Sequence, residues 1–327
     1  MTIARALAFC KNNKTICRVL NHNPYAVTLR KRMKLARILG LDSLAAISHC
    51  TVADAVESLT ELPTVCRVEL DEFHKTYGFR LSPDLDEEKR YQALEILYRH
   101  KSVFARDLSE IKKCKAEPLK LELHTNRKMF KRQYRLSEPD KVEMGKQIKQ
   151  MEDAGVIERS SSSYYNSPTY LVLKKSGQKR MVVDLRGVNS LIIPKLVQLP
   201  QIEELLETVT AQKPRYFSSI DLLSAFYQVE LHQESRDLTS FTGSDGRRYR
   251  YSRAPMGLNN SPSALNLHLS NIFSDKSRFH SLACYVDDIL LYTVQWDSHL
   301  QQLELALQTL EENQISCSPT KTDISFA

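Results

Sequence analysis

The sequence has no long hydrophobic run, and this absence limits where the protein can reside. No apolar stretch in the 327 residues approaches the roughly 18 residues that a membrane span needs. The N-terminal segment Met1–Cys10 is too short for a signal peptide and is interrupted by Arg5. We therefore expect an intracellular protein, most simply a cytoplasmic one, that makes no membrane contact.

Cysteine pairs with disulfide or metal-binding spacing are also missing. The seven cysteines are scattered, odd in number, and form no Cys-x-x-Cys or Cys-x-x-His pair. A disulfide framework and a zinc site are therefore not expected, and reduced thiols are the default. These cysteines are Cys10, Cys17, Cys50, Cys66, Cys114, Cys284 and Cys317.

The charge is only moderately biased. The formal net charge is +7, and residues 1–41 carry nine Lys or Arg and no Asp or Glu. A second basic cluster, residues 127–135, has Phe130 and Tyr134 interleaved with its cations. A positive balance favours a polyanionic partner but does not identify one.

Hydrophobic periodicity predicts helices and strands in irregular alternation, which favours an α+β domain over a doubly wound sheet. Helices are predicted over Glu87–Phe104, from the N-cap Ser137 to Gly155, over Gln201–Val209, from Pro262 onward and around Leu300–Leu310. Strands are predicted over Thr15–Leu20, Tyr25–Leu29, Thr169–Lys174, Met181–Leu185, Tyr216–Leu222, Tyr227–Leu231, Ser240–Thr242, Arg248–Tyr251, Ser281–Val286 and Ile289–Thr293.

Two adjacent acids interrupt the last pair of apolar strands. Asp287 and Asp288 lie between runs that are otherwise almost wholly apolar. Like charges at the tip of a buried hairpin repel each other and cost desolvation energy, unless a cation lies between them and another acid. A polar turn between two strands is the simpler interpretation of this pair.

A third acid, Asp221, ends another apolar strand. A strand-end cap would explain it equally well. If the two acid-tipped strands are neighbours in one sheet, however, their carboxylates can surround a pair of Mg²⁺ ions, which prefer carboxylates, water and phosphate oxygens. Two such ions stabilise both the attacking and the leaving oxygen in phosphoryl transfer.

Seven sequence motifs of this chain, in the order in which they occur, resemble those of the reverse transcriptases of gypsy-type LTR retrotransposons. The resemblance covers about residues 104–326. The matching strings are Gly155-Val-Ile-Glu-Arg-Ser160, Ser167-Pro-Thr-Tyr-Leu-Val-Leu-Lys-Lys175, Arg180-Met-Val-Val-Asp-Leu-Arg-Gly-Val-Asn189, Tyr216-Phe-Ser-Ser-Ile-Asp-Leu-Leu-Ser-Ala-Phe-Tyr-Gln228, Ala254-Pro-Met-Gly-Leu-Asn-Asn-Ser-Pro262, Tyr285-Val-Asp-Asp288 and Ser318-Pro-Thr-Lys321.

The resemblance implies an organisation for the whole chain. Residues 1–70 would be a basic, β-rich connector like the one that follows the protease in such polyproteins, and residues 71–135 a helical linker. Residues 136–327 would be the fingers and palm of a right-hand polymerase, with an antiparallel palm sheet backed by helices. No Asp-Thr-Gly or Asp-Ser-Gly triplet indicates an aspartic protease. Because the sequence ends where a primer-grip hairpin would begin, the thumb and RNase H domains are expected to be absent.

The resemblance also implies a catalytic role for four residues. Asp221, Asp287 and Asp288 would hold two Mg²⁺ ions, and Lys321 would be a general acid for pyrophosphate departure. A late-chain lysine is otherwise more often a surface residue.

Five further residues would bind the incoming nucleotide. Lys175 and Arg180 match finger residues that grip the triphosphate, although a solvated basic hairpin is the alternative. Phe226 matches an aromatic that excludes the ribose 2′-hydroxyl, and its alternative is a core aromatic. Met256 and Gly257 match positions that line the nucleotide pocket.

The expected function is therefore RNA-directed DNA synthesis: addition of dNTPs to a primer on an RNA or DNA template. The main alternative is a weak or inactive truncated fragment that only binds nucleic acid. An RNA-directed RNA polymerase is disfavoured by Phe226. The sequence departs from the family pattern at Val286, at Met256 and at Leu265-Asn266, where Leu or Ile, Phe, and Phe-Gln are more usual.

Overall fold

The computed structural model describes residues 65–160, 164–174, 177–195 and 201–326. The chain divides into two compact units, Met1–Val65 and Cys66–Ala327, and the account below concerns the second. The strands predicted over Thr15–Leu20 and Tyr25–Leu29 lie outside the described residues. Within the described ranges, no helix is both long and apolar enough to cross a membrane.

A five-stranded sheet forms the centre of the second unit. Its strands are β1 (Arg80–Leu81), β5 (Tyr216–Asp221), β8 (Leu282–Tyr285), β9 (Asp288–Thr293) and β10 (Asp323–Phe326). They lie in the order β1-β10-β5-β9-β8, and every neighbouring pair is antiparallel except β1–β10.

Two smaller sheets complete the strand inventory of the described residues. One has the order β2-β7-β6, and the other is the hairpin β3–β4. Their strands are β2 (Ile157–Arg159), β3 (Thr169–Leu173), β4 (Lys179–Val183), β6 (Phe241–Thr242) and β7 (Arg248–Tyr251).

The helices pack around these sheets. They are α1 (Arg67–Tyr77), α2 (Glu87–Arg99), α3 (Glu138–Asp153), α4 (Arg186–Asn189), α5 (Ile202–Ala211), α6 (Gln233–Arg236), α7 (Ser261–Ile272) and α8 (Trp296–Glu312). Helix α8 contacts β5 and β9 with one face and α2 with another. Its buried leucines, Leu303, Leu307 and Leu310, recur at the spacing of one helix face and form part of the core beneath the sheet.

The α+β prediction is confirmed, and so are most of the predicted elements. Ser137 caps α3 through a 3.3 Å hydrogen bond from the Asp140 amide to its hydroxyl. Gly155 ends the same segment with a φ of 64°, which glycine adopts without strain. Predicted and observed bounds differ by a few residues elsewhere: the helix predicted to Phe104, for example, ends at Arg99 and is followed by a 3₁₀ turn.

The strand predicted over Tyr227–Leu231 is wrong. Residues Ala225–Gln228 form a short 3₁₀ helix, and only isolated bridges follow, from Glu230 to Arg253 and from Leu231 to Leu119. The alternating pattern predicted an extended segment, but the left-handed backbone of Ser224 (φ 46°) turns the chain before it can pair regularly.

A buried histidine joins three elements beneath the central sheet. His299 of α8 is 0% exposed and lies 2.7 Å from Ser218 Oγ of β5 and 3.0 Å from Thr293 Oγ1 of β9. Ser218 Oγ already accepts a hydrogen bond from the Ser325 amide of β10, so its O–H is free to donate to a neutral imidazole. Burial lowers the pKa of His299 to about 4.

This pKa predicts a pH-dependent loss of stability. The neutral histidine is favoured in the folded state, so its stabilisation is complete above the unfolded pKa of about 6.5 and is lost as the pH falls toward about 4. Over that window, protonation of His299 should lower the free energy of unfolding of the wild type by about 3 kcal/mol. His299→Gln should lack this contribution. Urea denaturation of both proteins at pH 7, 5.5 and 4.5 measures it, and parallel curves would contradict the assignment.

Candidate active site

Two of the three aspartates predicted from the sequence lie at the ends of two neighbouring central strands, and the third lies in an adjoining turn. Asp221 ends β5 and is the register partner of Asp288, the first residue of β9. Asp287 lies in the turn that joins β8 to β9, and its carbonyl accepts a 3.2 Å hydrogen bond from the Leu222 amide. Asp221 and Asp287, which are 66 positions apart in the chain, therefore lie at the same end of the central strands.

The β8–β9 turn has an unusual backbone. Val286 has a φ of 57°, a left-handed conformation that is unfavourable for a β-branched residue. Such strain persists where the surrounding structure fixes it, and here the pairing of Tyr285 with Asp288 closes the turn directly. The strained residue lies immediately before the acidic pair and fixes its direction.

The carboxylates interact electrostatically. Burial raises the pKa of Asp221 above its ordinary value, the Lys321 ammonium opposes that rise, and the charge of Asp287 adds to it. Partial burial also raises the pKa of Asp288, and the charges of Asp287 and Asp221 raise it further. The mutual effect places all three acids within electrostatic range of one another.

Lys321 supplies the nearest positive charge. Its Nζ lies 3.1 Å from Asp221 Oδ1 and 3.2 Å from Oδ2. The backbone holds the two residues together, because the Ser318 amide donates a 2.8 Å hydrogen bond to the Asp221 carbonyl just before the 3₁₀ turn Pro319–Lys321. The ammonium remains largely exposed and can reach other acceptors.

An open cleft of about 930 Å³ lies beside these acids. Five of the residues that the sequence analysis selected line it: Arg180, Phe226, Met256, Asp287 and Lys321. They come from five separate parts of the chain, so the fold brings together a guanidinium, an aromatic ring, a thioether, a carboxylate and an ammonium.

Four selected residues are not in the lining of the cleft within the described structure: Asp221 and Asp288, which lie at the ends of β5 and β9, and Lys175 and Gly257. Lys175 lies outside the described residues, although its neighbours Lys174 and Gly177 are at the cleft wall. Gly257 is exposed beside Met256, with a φ of 84° that favours glycine, and its carbonyl accepts a 2.8 Å hydrogen bond from Asn189 Nδ2.

The sequence analysis missed the polar face of α3. Glu143, Gln147 and Gln150 line the cleft at a spacing of four and three residues. Gln147 also holds β4, since its Nε2 donates to the Lys179 carbonyl at 2.9 Å and its Oε1 accepts from the Met181 amide at 2.8 Å. That polar stripe on one helix face was the available signal.

The metal prediction is only partly supported by the geometry. Among the described residues, no three His, Cys, Asp or Glu side chains are arranged to hold a metal ion as they stand. The donor chemistry nevertheless fits Mg²⁺, because Asp221, Asp287 and Asp288 supply hard oxygen ligands. Burial, and after it the repulsion between these acids, raises the pKa of Asp221 and of Asp288, and a bound cation would relieve that repulsion.

Sequence comparison shows which known proteins this chain is similar to. Residues 172–326 match the family described as reverse transcriptase (RNA-dependent DNA polymerase). The retrovirus-related Pol polyprotein from transposon 297 of Drosophila melanogaster is 33% identical over 192 residues, which cover 57% of this chain and 18% of that protein. The enzymatic polyprotein of cauliflower mosaic virus (strain CM-1841) is 37% identical over 190 residues, 57% of this chain and 27% of that protein.

Structural comparison agrees. The native prototype foamy virus protease–reverse transcriptase matches with a TM-score of 0.67 and 25% identity over 80% of this chain and 34% of that one. The foamy viral protein in complex with an RNA/DNA hybrid matches with a TM-score of 0.67 and 24% identity over 81% and 34%.

The chain spans less than a third of the length of the two polyproteins that it matches. The matched family, the relatives and the solved structures nonetheless agree with one another. By sequence, residues 172–326 of this chain therefore match the reverse transcriptase family, and these two relatives are polyproteins of a retrotransposon and a virus.

Proposed function

We propose that this chain carries the polymerase site of an RNA-directed DNA polymerase, which adds deoxynucleotides to the 3′-hydroxyl of a primer. The observation that carries the proposal is the pairing of Asp221 with Asp288, with Asp287 in the adjoining turn, at the edge of a cleft lined by Arg180 and Lys321. Clustered carboxylates facing a basic cleft suit a reaction between two anions, the primer and a triphosphate.

The reaction forms a bond between the primer 3′-oxygen and the α-phosphorus, with release of the 3′-hydroxyl proton to water, and breaks the bond between the α-phosphorus and the pyrophosphate oxygen. Arg180, exposed at the cleft wall, binds the triphosphate, and Lys175 is proposed to assist it. Lys321 transfers a proton from Nζ to the departing pyrophosphate, which requires the ammonium to leave Asp221. Catalysis then consists mainly of positioning and charge neutralisation.

Reverse transcriptases depend in general on divalent cations, and we propose that Asp221, Asp287 and Asp288 hold two Mg²⁺ ions here. Bound there, the cations would neutralise charge on the reacting oxygens. The three carboxylates must be ionised to serve as ligands, so the raised pKa values of Asp221 and Asp288 predict that activity declines as the pH becomes acidic.

Phe226 is proposed to select deoxynucleotides. Phe226 lines the cleft five residues after Asp221, and Met256 lines the same cleft. A bulky ring at the sugar position excludes a 2′-hydroxyl by steric overlap, which favours DNA over RNA synthesis. The foamy viral relatives were solved with double-stranded DNA and with an RNA/DNA hybrid, which supports a paired template and primer as the partner.

We propose an organisation and a location for the chain. We assign residues 136–327 to the fingers and palm, residues 71–135 to a helical linker and residues 1–70 to a connector. A cytoplasmic location is proposed with them.

Extension of a DNA primer on an RNA template tests the function. The full chain is incubated with primer-template, Mg²⁺ and dNTPs, and we expect template-directed products. Binding of primer-template without synthesis would instead support the alternative of a nucleic-acid-binding fragment, and preferential use of ribonucleotides would indicate an RNA polymerase.

A further inference from the structure

The turn that carries Phe226 is poorly stabilised by its own backbone interactions. It begins at Ser224, whose φ of 46° and ψ of 50° are unfavourable for a residue with a side chain. The 3₁₀ helix that follows, Ala225–Gln228, is only four residues long, and such helices have weak internal hydrogen bonds. A ring that discriminates between sugars by overlap needs a fixed position, so other contacts must hold this turn.

The side chain of Gln228 supplies those contacts. It is 1% exposed. Its Nε2 donates to the Leu223 carbonyl at 3.0 Å and to the Ser316 carbonyl at 2.7 Å, and its Oε1 accepts from the Ser316 amide at 2.7 Å. The carboxamide therefore closes the turn on itself and pairs with both backbone groups of Ser316, as a neighbouring strand would.

Ser316 connects this contact to the catalytic lysine. Two residues later, Ser318 donates its amide to the Asp221 carbonyl, and the 3₁₀ turn that ends at Lys321 follows. Gln228 thus joins the segment bearing Phe226 to the segment bearing Lys321. Both donors and the acceptor are used. The Ser316 carbonyl also accepts from the Leu223 amide at 3.0 Å, so an isosteric side chain without these groups removes the partner of the Ser316 amide and of the Leu223 carbonyl and leaves the Ser316 carbonyl with one partner.

We propose that Gln228 is a positioning residue for sugar selection. Its pairing with Leu223 and Ser316 fixes the distance between Phe226 and Lys321, and this keeps the Phe226 ring in the position where it excludes a 2′-hydroxyl. The inference rests on the proposed function, because it assumes nucleotide addition in this cleft. Gln228 itself is buried behind the turn and touches no substrate.

The experiment compares incorporation of dGTP and GTP opposite one template cytosine by the full chain and by Gln228→Met. Methionine keeps the length and volume of glutamine and removes all three hydrogen bonds. We expect the ratio of kcat/KM for dGTP to that for GTP to fall by about tenfold. In a Phe226→Ala background the same substitution should leave the ratio unchanged, because the ring that it positions is gone.

Gln302→Met is the matched control. Gln302 of α8 is also a buried glutamine, 5% exposed, and its Nε2 donates to the Arg278 carbonyl at 2.9 Å, away from the turn. We expect this variant to lose stability without a change in the sugar ratio. An equal fall in both single variants would overturn the positioning role, as would an unchanged ratio in Gln228→Met.

Gln228→Glu provides a second route if the methionine variant does not fold. Glutamate retains the acceptor for the Ser316 amide, lacks both donors when ionised and regains one when protonated. Sugar discrimination in this variant should therefore improve as the pH falls from 8 to 6, whereas a flat profile would refute the inference. Failure of the wild-type chain to synthesise DNA at all would refute the proposed function instead, so the two failures are distinguishable.

Discussion

Asp287→Asn is expected to lower RNA-templated DNA synthesis by about 10³-fold or more, the scale on which a preorganised charge contributes to phosphoryl transfer. The amide keeps the shape of the side chain but removes its negative charge and one anionic oxygen ligand. Asp287 lines the cleft, and its charge influences both Asp221 and Asp288. The rate of single-nucleotide addition under saturating dNTP measures the effect.

Two controls make this result interpretable. Asp297→Asn removes an exposed carboxylate from the first turn of α8 and should leave the rate within a factor of two or so, in keeping with surface substitutions. Primer-template affinity of Asp287→Asn should also stay close to wild type. Synthesis at the wild-type rate by Asp287→Asn would show that the reaction occurs elsewhere.

Phe226→Ala is expected to admit ribonucleotides. Loss of the ring opens the space that a 2′-hydroxyl would occupy, so the preference for dNTP over NTP in kcat/KM should fall by about 10²-fold, roughly what a shape-complementary pocket can supply. The effect should appear mainly as improved use of NTPs, because the dNTP gains no new contact. Competition between dGTP and GTP on one template measures it.

Phe226→Tyr is the conservative partner of this substitution. The ring remains, and only a hydroxyl is added, so discrimination should be retained. If both Phe226→Ala and Phe226→Tyr keep the wild-type preference for dNTP over NTP, Phe226 is a packing residue of the turn. Sugar selection then resides in other side chains.

The local sequence pattern predicted the elements that hold the acids. Apolar runs on both sides of Asp287 and Asp288 predicted the β8–β9 hairpin. The resemblance assigned these two acids to the same catalytic site as Asp221. The adjacency of β5 and β9 could not be read from periodicity alone, since register between distant strands depends on tertiary packing. The sequence analysis posed that adjacency as the condition of a shared metal site, and the register of Asp221 with Asp288 meets the condition.

The remaining differences have long-range causes. The alternation in Tyr227–Leu231 predicted a strand, but the partners of Gln228 are Leu223 and Ser316, the second of them 88 residues away. The contact between Lys321 and Asp221 spans 100 residues. A helix-face stripe of glutamines carries no motif, so Gln147 and Gln150 were not selected. In each case, tertiary contacts decided what local propensity left open.

Cation binding by the three aspartates is the most direct test of the central claim. Electron paramagnetic resonance would count bound Mn²⁺ in a complex of the full chain with an RNA template, a DNA primer that lacks its 3′-hydroxyl, and the next complementary dNTP. We predict two bound ions in the wild type, fewer in Asp221→Asn and in Asp288→Asn, and two in Asp297→Asn. Equal Mn²⁺ occupancy in the wild type and in both aspartate variants would contradict a shared metal site at the edge of β5 and β9.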